Sequence, residues 1–157
     1  MLVLAGGCRD QRAVPAAEER ELGIVQETWG LDGPYRRPVR LVVYREEDLL
    51  AARLGRLEVD FSTQMVLLAG LGSIGDRPYQ VRIARVRERG AEVEVDVEIL
   101  REEPGLGEGE GEDGGGGRAV RRRSPWHAVV VPRSEGRVRG FSSNVGEALQ
   151  RGHNPFR

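Results

Sequence analysis

Hydrophobic and acidic residues alternate without exception in one stretch of the chain, from Glu92 to Ile99. Valine or isoleucine occupies every odd position, and glutamate or aspartate occupies every even one. Successive side chains of a β-strand point to opposite faces, so this pattern predicts a strand with one buried and one solvated face. We therefore expect Val93, Val95 and Val97 on the inside of an antiparallel sheet.

A second alternating stretch runs from Tyr79 to Ile83, but the next apolar residue, Val86, is out of phase by one. If a hairpin closes through 88–91, Val86 pairs with Val93, and one extra residue upstream restores the pairing of apolar side chains. We therefore predict a β-bulge near residues 84–85. The predicted pairs are Ile83 with Val95, Val81 with Val97, Tyr79 with Ile99, Arg87 with Glu92, Arg85 with Glu94, and Arg82 with Asp96.

Three further segments have the composition of strands. Val39 to Tyr44 is rich in β-branched residues, and Ala128 to Val131 is an apolar run that ends at Pro132. Met65 to Ala69 is continuously apolar, which is typical of a strand buried on both faces. These segments add to the predicted hairpin and indicate one antiparallel β domain.

One helix is predicted at residues 46–56. Leucines recur there at helical spacing, acidic residues fill the first turn, arginines follow towards the end, and Gly55 marks the stop. A short helix is also compatible with 144–149. The sequence thus predicts an α+β fold that is mainly antiparallel β, either a small single sheet or a sandwich.

The 157 residues suffice for one domain with a core of its own. Residues 104–120 are mostly glycine and charged residues, and we expect them to form a disordered loop between two strands of one sheet. The predicted organisation is a signal remnant at 1–8, a flexible tether at 9–21, a β domain at 22–134 and a C-terminal tail at 135–157.

The chain contains one cysteine, Cys8, which directly follows a short apolar run with small residues at its end. This arrangement resembles the end of a bacterial lipoprotein signal, in which the cysteine is acylated. We expect lipidation at Cys8, a start inside a longer signal peptide and export to the cell envelope. The alternative is a cytoplasmic protein with an unmodified N-terminus.

The charge is balanced, with a net value of −1, so no overall field attracts nucleic acid or a membrane. We expect no nucleic-acid partner, and membrane contact only through a lipid at Cys8. All 24 basic residues are arginine. Arginine binds phosphate and carboxylate well, but these arginines are scattered along the sequence, and a GC-rich codon bias explains them more simply.

The segment 70–75 reads GLGSIG and matches a dinucleotide-binding pattern. That site needs a helix at the third glycine, whereas an alternating strand follows here. Two histidines, His127 and His153, have no metal ligand at a suitable spacing, and nothing in the sequence orients His127 as a base for Ser124. We therefore expect no cofactor, no metal, no catalytic residue and no enzymatic activity.

Several segments in order resemble one known family. They are Val59 to Ser62 leading into the strand 65–69, then the glycine loop and Tyr79 to Ile83, the valine-rich strand 93–99, and Ser124 to His127 leading into Pro132. From about 59 to 132 the chain resembles the C-terminal domain of PrcB, a subunit associated with a secreted bacterial protease complex. Family members usually carry a threonine-glycine-glycine turn where this chain has Gly75 to Pro78.

The resemblance implies a non-catalytic protein-binding module of the bacterial envelope that binds or stabilises a protease. Loops and aromatic residues are the expected contacts. The first alternative is a module like the chagasin-like protease inhibitors, and the second is a ligand-binding or enzymatic domain that uses the loop 70–79 and His127. The predicted partner-binding residues are Gly72, Ser73, Asp76, Arg77, Tyr79 and Trp126.

Overall fold

A computed structural model describes residues 18–75, 77–102 and 123–151. The predictions made for residues 1–17, including Cys8, for Asp76, for the loop 104–120 and for His153 lie outside these ranges. The elements are β1 (Glu19–Glu21), β2 (Gln26–Gly30), β3 (Val39–Val43), α1 (Glu46–Ala51), β4 (Gln64–Gly70), β5 (Tyr79–Arg89), β6 (Glu92–Arg101), β7 (Trp126–Pro132), β8 (Arg137–Val138) and α2 (Val145–Arg151).

The strands of the described ranges form two four-stranded sheets. Sheet A has the order β1-β5-β6-β8, and sheet B has the order β2-β7-β4-β3. Neighbouring strands are antiparallel except for β6 and β8, which run parallel. The prediction of a mainly antiparallel α+β fold is confirmed.

Sheet B is buried on both faces, as the continuous apolar run of β4 predicts. Met65 and Leu67 belong to an apolar cluster between the two sheets. Val66 and Leu68 belong to a second cluster on the opposite face, where both helices pack. All four side chains are fully buried, so the molecule has three layers: sheet A, sheet B and the helices.

Helix α1 is shorter than predicted and ends at Ala51, not at residue 56. Two backbone hydrogen bonds close its C-terminus, from the N–H of Leu54 to the Leu49 carbonyl at 3.0 Å and from Arg53 to Leu50 at 2.9 Å. This is the Schellman arrangement, in which the residue after the helix takes a left-handed conformation. Arg53 takes it, with φ 59°, before the predicted stop at Gly55 is reached.

Both predicted boundaries of the β domain are too narrow. Residues 19–21 were assigned to the flexible tether, but they form β1, which pairs with Arg87 to Arg89 of β5. The predicted tail also belongs to the domain, because α2 places Val145 and Ala148 in the core on the helix side of sheet B. Apolar side chains at a spacing of three residues gave this helix a face to bury.

The structure confirms the predicted β-bulge and corrects the register. The pairing of β5 with β6 shifts between Ile83 and Arg85. However, Val86 lies opposite Val95, not Val93, so every predicted pair is displaced by two residues. The turn is tighter than predicted: it contains only Gly90 and Ala91, and Gly90 takes φ 57°. A shift of two residues leaves every side chain on its predicted face.

Glu102 and Arg123, the described residues on either side of 103–122, are in contact with each other. The Glu102 carboxylate accepts hydrogen bonds from Gln80 at 2.5 Å and from Arg123 at 2.8 Å. These hydrogen bonds hold the pKa of Glu102 below its usual value. No helix in the described ranges is both long enough and apolar enough to cross a lipid bilayer.

Candidate protein-binding surface

The inner face of β6 becomes progressively exposed along the strand. Val93 is completely buried, Val95 and Val97 are half-buried, and Ile99 is 57% exposed. Its cross-strand neighbour Val81 is only 6% exposed, because β5 packs more closely against sheet B than β6 does. The expectation that the whole alternating face is buried therefore holds fully only at its first position. We call residues 79–83 and 97–101 the far half of the hairpin.

The outer edge of β6 carries backbone groups without a partner in the described ranges. Strand β8 accompanies β6 only at Glu92 and Val93, and Arg139 donates to the Val93 carbonyl at 3.0 Å. Backbone groups of alternate residues point to the same edge of a strand. Val95, Val97 and Ile99 therefore direct their N–H and C=O groups towards the same edge, beyond the end of β8.

The opposite edge of the hairpin is open for a shorter distance. The N–H of Glu102 donates to the Pro78 carbonyl at 2.7 Å, so Tyr79, Val81 and Ile83 direct their backbone groups away from β6. Strand β1 accompanies β5 only at 87–89. At Ile83 the N–H donates instead to Nδ1 of His127, at 3.0 Å, and this bond joins the two sheets.

His127 is buried between the sheets and uses both ring nitrogens. Because Nδ1 accepts the Ile83 amide, the neutral ring carries its proton on Nε2, which lies 3.3 Å from the Glu27 carboxylate. Burial lowers the pKa of His127, while Glu27 acts in the opposite direction. The lone pair that a general base would need is thus engaged with the backbone.

The structure does not assemble the other candidate sites either, namely the Ser124–His127 pair and a metal site, among the described residues. Ser124, which with His127 would have formed a nucleophile and base pair, donates its hydroxyl to the Tyr35 carbonyl at 2.5 Å. Within the described ranges, no three His, Cys, Asp or Glu side chains come close enough to hold a metal ion. After the third glycine of GLGSIG the chain enters β5, with no helix between, as the sequence predicts.

A small cleft of about 150 Å³ lies where β2 passes the far half of the hairpin. Trp29, His127 and Glu27 line it from sheet B, and Gln80 and Arg82 line it from β5. Trp29 is 63% exposed. The cleft is half-open and is smaller than the roughly 300 to 1,000 Å³ that is usual for ligand sites.

The glycine loop supports its neighbours through backbone contacts. Gly72 is buried with φ 72°, and a Cβ added there would lie 2.5 Å from the Arg37 carbonyl carbon. The N–H of Ser73, which is exposed, donates to the Arg36 carbonyl at 3.1 Å. This part of the predicted binding loop therefore holds the segment that contains Arg36 and Arg37.

The remaining predicted contact residues lie on different surfaces. Tyr79 is half-buried in the far half of the hairpin, and Arg77 is exposed just before it. Trp126 is also half-buried, but it packs against the core on the helix side of sheet B, close to Gly30. The structure thus places Tyr79 and Trp126 on opposite sides of sheet B.

Sequence reasoning missed two exposed apolar residues, Trp29 and Ile99. A signal for Trp29 was present, because the run Gln26–Gly30 has one aromatic residue among polar neighbours. Ile99 continues the alternating pattern and carries no sequence feature that separates it from the buried valines. Its exposure depends on how far sheet B extends beneath the hairpin.

Comparisons with known proteins add no family: no protein-family model, no curated protein and no solved structure matches the chain. The resemblance to the PrcB C-terminal domain therefore stays a prediction from the sequence.

Proposed function

We propose that this protein is a non-catalytic binding module that takes up an extended segment of a partner protein as an additional strand beside β6. The observation that supports the proposal most directly is the open outer edge of β6, beside which the apolar side chain of Ile99 is exposed. Open edges are usually short, covered or blocked, because they pair readily with other chains. Here Val95, Val97 and Ile99 present three N–H and three C=O groups along one open edge.

The side chains of β6 indicate the chemistry of the partner. The inner face offers Ile99 and the half-buried valines, so an added strand would place apolar side chains against them. The outer face carries Glu94, Asp96 and Glu98, of which Glu98 makes no ion pair in the described ranges. The segment that best complements this edge alternates apolar and basic residues.

The same charges disfavour pairing of two copies of this chain. An antiparallel pair of β6 edges centred on Val97 would place Asp96 of one copy opposite Glu98 of the other. Like charges directly opposite each other destabilise a β ladder. A second copy is therefore a poorer occupant than a basic segment of a different protein.

Two substitutions at one position separate strand addition from simple apolar contact. The N–H of Ile99 points to the open edge, so Ile99→Pro removes an edge donor without breaking a bond to β5. Ile99→Ala removes only the side chain. Peptides of eight residues should be selected from a random phage-displayed library against the wild-type protein, and their affinities should then be measured by fluorescence anisotropy.

We expect the selected peptides to alternate apolar and basic residues. Ile99→Pro should weaken binding about tenfold more than Ile99→Ala does, as loss of a backbone pair implies. Leu50→Ala removes an equally exposed apolar side chain on helix α1 and serves as the control, with unchanged binding. Selected peptides without alternation, or equal binding by both Ile99 variants, would contradict the proposal.

The class of partner is a further step that rests on the sequence resemblance alone. On that basis we propose a protease of the cell envelope. The apolar run before Cys8 separately supports a lipid anchor at that residue, which we also propose. Mass spectrometry of the protein isolated from its native cells tests the location. An unprocessed and unlipidated N-terminus would remove the envelope from the proposal.

A further inference from the structure

A half-open pocket of about 380 Å³ lies on the helix side of sheet B. The exposed arginines Arg36, Arg37 and Arg53 line it together with apolar residues. The apolar part of the lining comes from Pro34, Tyr35, Val39, Ala51 and Leu149. Its volume is within the range of roughly 300 to 1,000 Å³ that small-molecule sites occupy.

The charged residues that line the pocket are all arginines, in a protein whose net charge is only −1. Among the described residues, no aspartate or glutamate lines it. Arg36 and Arg53 form no ion pair with any of the described residues, whereas Arg37 donates to the backbone carbonyl of Arg151 at 2.8 Å. Three arginines with no acidic neighbour among the described lining residues make an anion the ligand that suits this pocket best.

The backbone that carries these arginines is held in place by its neighbours. The glycine loop holds the backbone of Arg36 and Arg37 through the hydrogen bond from Ser73 and the close approach of Gly72. The buried hydroxyl of Tyr35 donates to the Ala52 carbonyl at 2.5 Å, which ties the segment to the end of α1. Such preorganisation lowers the entropy cost of binding.

Arg53 supplies an independent observation. It is the one described non-glycine residue with a positive φ, and it occupies the position after a helix where glycine is usual. An arginine in this conformation is strained, and strained residues concentrate at functional sites. Arginine at this position brings a guanidinium group to the pocket, whereas the glycine that is usual there would bring no side chain.

We propose that this pocket binds a small organic phosphate, a phosphomonoester whose dianionic group lies among the three arginines and whose organic part lies against the apolar lining. Guanidinium groups bind phosphate oxygens in bidentate pairs, and three positive charges favour a dianion over a monoanion. The apolar lining and the volume favour an organic phosphate over the inorganic ion.

Isothermal titration calorimetry with phenyl phosphate as the probe tests the proposal on the full chain. Inorganic phosphate tests the contribution of the organic part, and benzoate tests the requirement for a dianion. The variants are Arg36→Gln and Arg53→Gln, and the matched control is Arg56→Gln. Arg56 is an exposed arginine three residues beyond Arg53 that does not line the pocket.

We expect phenyl phosphate to bind about tenfold more tightly than either comparison anion, and each pocket variant to lose about tenfold in affinity. The control should bind like the wild type. Affinity should also fall as the pH is lowered through about 6, where the phosphate dianion gains a proton. A thermal melt of each variant verifies that it is folded.

Four results would overturn the proposal. The first is no heat of binding with phenyl phosphate, and the second is equal binding of phenyl phosphate and benzoate. The third is equal binding of phenyl phosphate and inorganic phosphate. The fourth is an equal loss of affinity in Arg56→Gln, which would show that the anion responds only to net charge.

Discussion

At the scale of single residues, His127 shows how a polar side chain can be structural. It lies on β7 of sheet B and accepts a hydrogen bond from Ile83 of sheet A. The sequence shows a histidine in an apolar strand, but it cannot show that the β1 side of β5 leaves an amide open at this point. This hydrogen-bond partner lies on the other sheet, 44 residues away in the sequence, so it depends on how the two sheets pack.

The His127 contact predicts a pH dependence of stability. Because burial lowers its pKa in the folded state, the unfolded chain binds a proton more readily. Stability from this group is complete above the unfolded pKa of about 6.5 and is lost as the pH falls below it. Urea unfolding at several pH values measures the slope.

The variant His127→Asn keeps an acceptor for the Ile83 amide and removes the titrating group. Relative to this variant, the wild type should lose stability as the pH falls below about 6.5. Parallel stability profiles for the two proteins would show that protonation of His127 has no effect on folding.

Arg53 gives a second prediction at this scale. Glycine adopts a left-handed conformation without strain, so Arg53→Gly should stabilise the fold by about 0.5 to 1 kcal/mol. Arg56 has no positive φ, and Arg56→Gly should leave stability unchanged or lower it. Chemical denaturation measures both. If Arg53→Gly is no more stable than the wild type, Arg53 is not strained.

At the scale of elements, the hairpin shows what a pattern can and cannot predict. The phase break at Val86 locates the bulge, because one inserted residue returns the apolar side chains on both sides of the break to the same face. The register of the hairpin also depends on the length of its turn, and turns of two or four residues are compatible with the same alternation of apolar side chains. Gly90 in a left-handed conformation allows the two-residue turn that decides it.

Helix α2 illustrates a limit of a different kind. Its seven residues have weak helical propensity in isolation, and its stability comes from packing against β3 and α1. Sequence reasoning therefore assigned it to a tail. Its apolar side chains, Val145 and Ala148, were the available signal.

A pair of neighbouring substitutions tests whether α2 is part of the domain. Val145→Ala removes volume from the core and should cost roughly 1 to 3 kcal/mol. Gly146→Ala has open space around its Cβ and should stabilise the helix by about 0.5 to 1 kcal/mol. Thermal denaturation compares them. If Val145→Ala is neutral, α2 does not pack on the core in solution.

At the scale of the whole molecule, two neighbouring layers differ in how completely they are covered. Sheet B lies between sheet A and the helices, and its apolar residues are buried on both faces. Sheet A has one covered face, and that cover ends before the hairpin does. Binary patterning predicts which side of β6 faces inward, but the extent of burial depends on how far sheet B extends beneath the hairpin.

This arrangement also explains why the candidate site was only partly predictable. Tyr79 was named from the sequence and lies in the far half of the hairpin. Ile99 and the open edge were not, because exposure of a backbone edge is a property of sheet order. The arginine pocket was also missed, because Arg53 is distant from Arg36 and Arg37 in the sequence and lies near them only in the folded chain.

Amide hydrogen exchange of the free protein, followed residue by residue by NMR, tests the open edge of β6 most directly. The amides of Glu94, Asp96 and Glu98 point towards β5 and should exchange slowly, whereas those of Val95, Val97 and Ile99 point to the open edge and should exchange fast. A strictly alternating pattern along β6 is the predicted result. Uniform slow exchange from 94 to 99 would show that the edge is already covered and would contradict the proposed mode of binding.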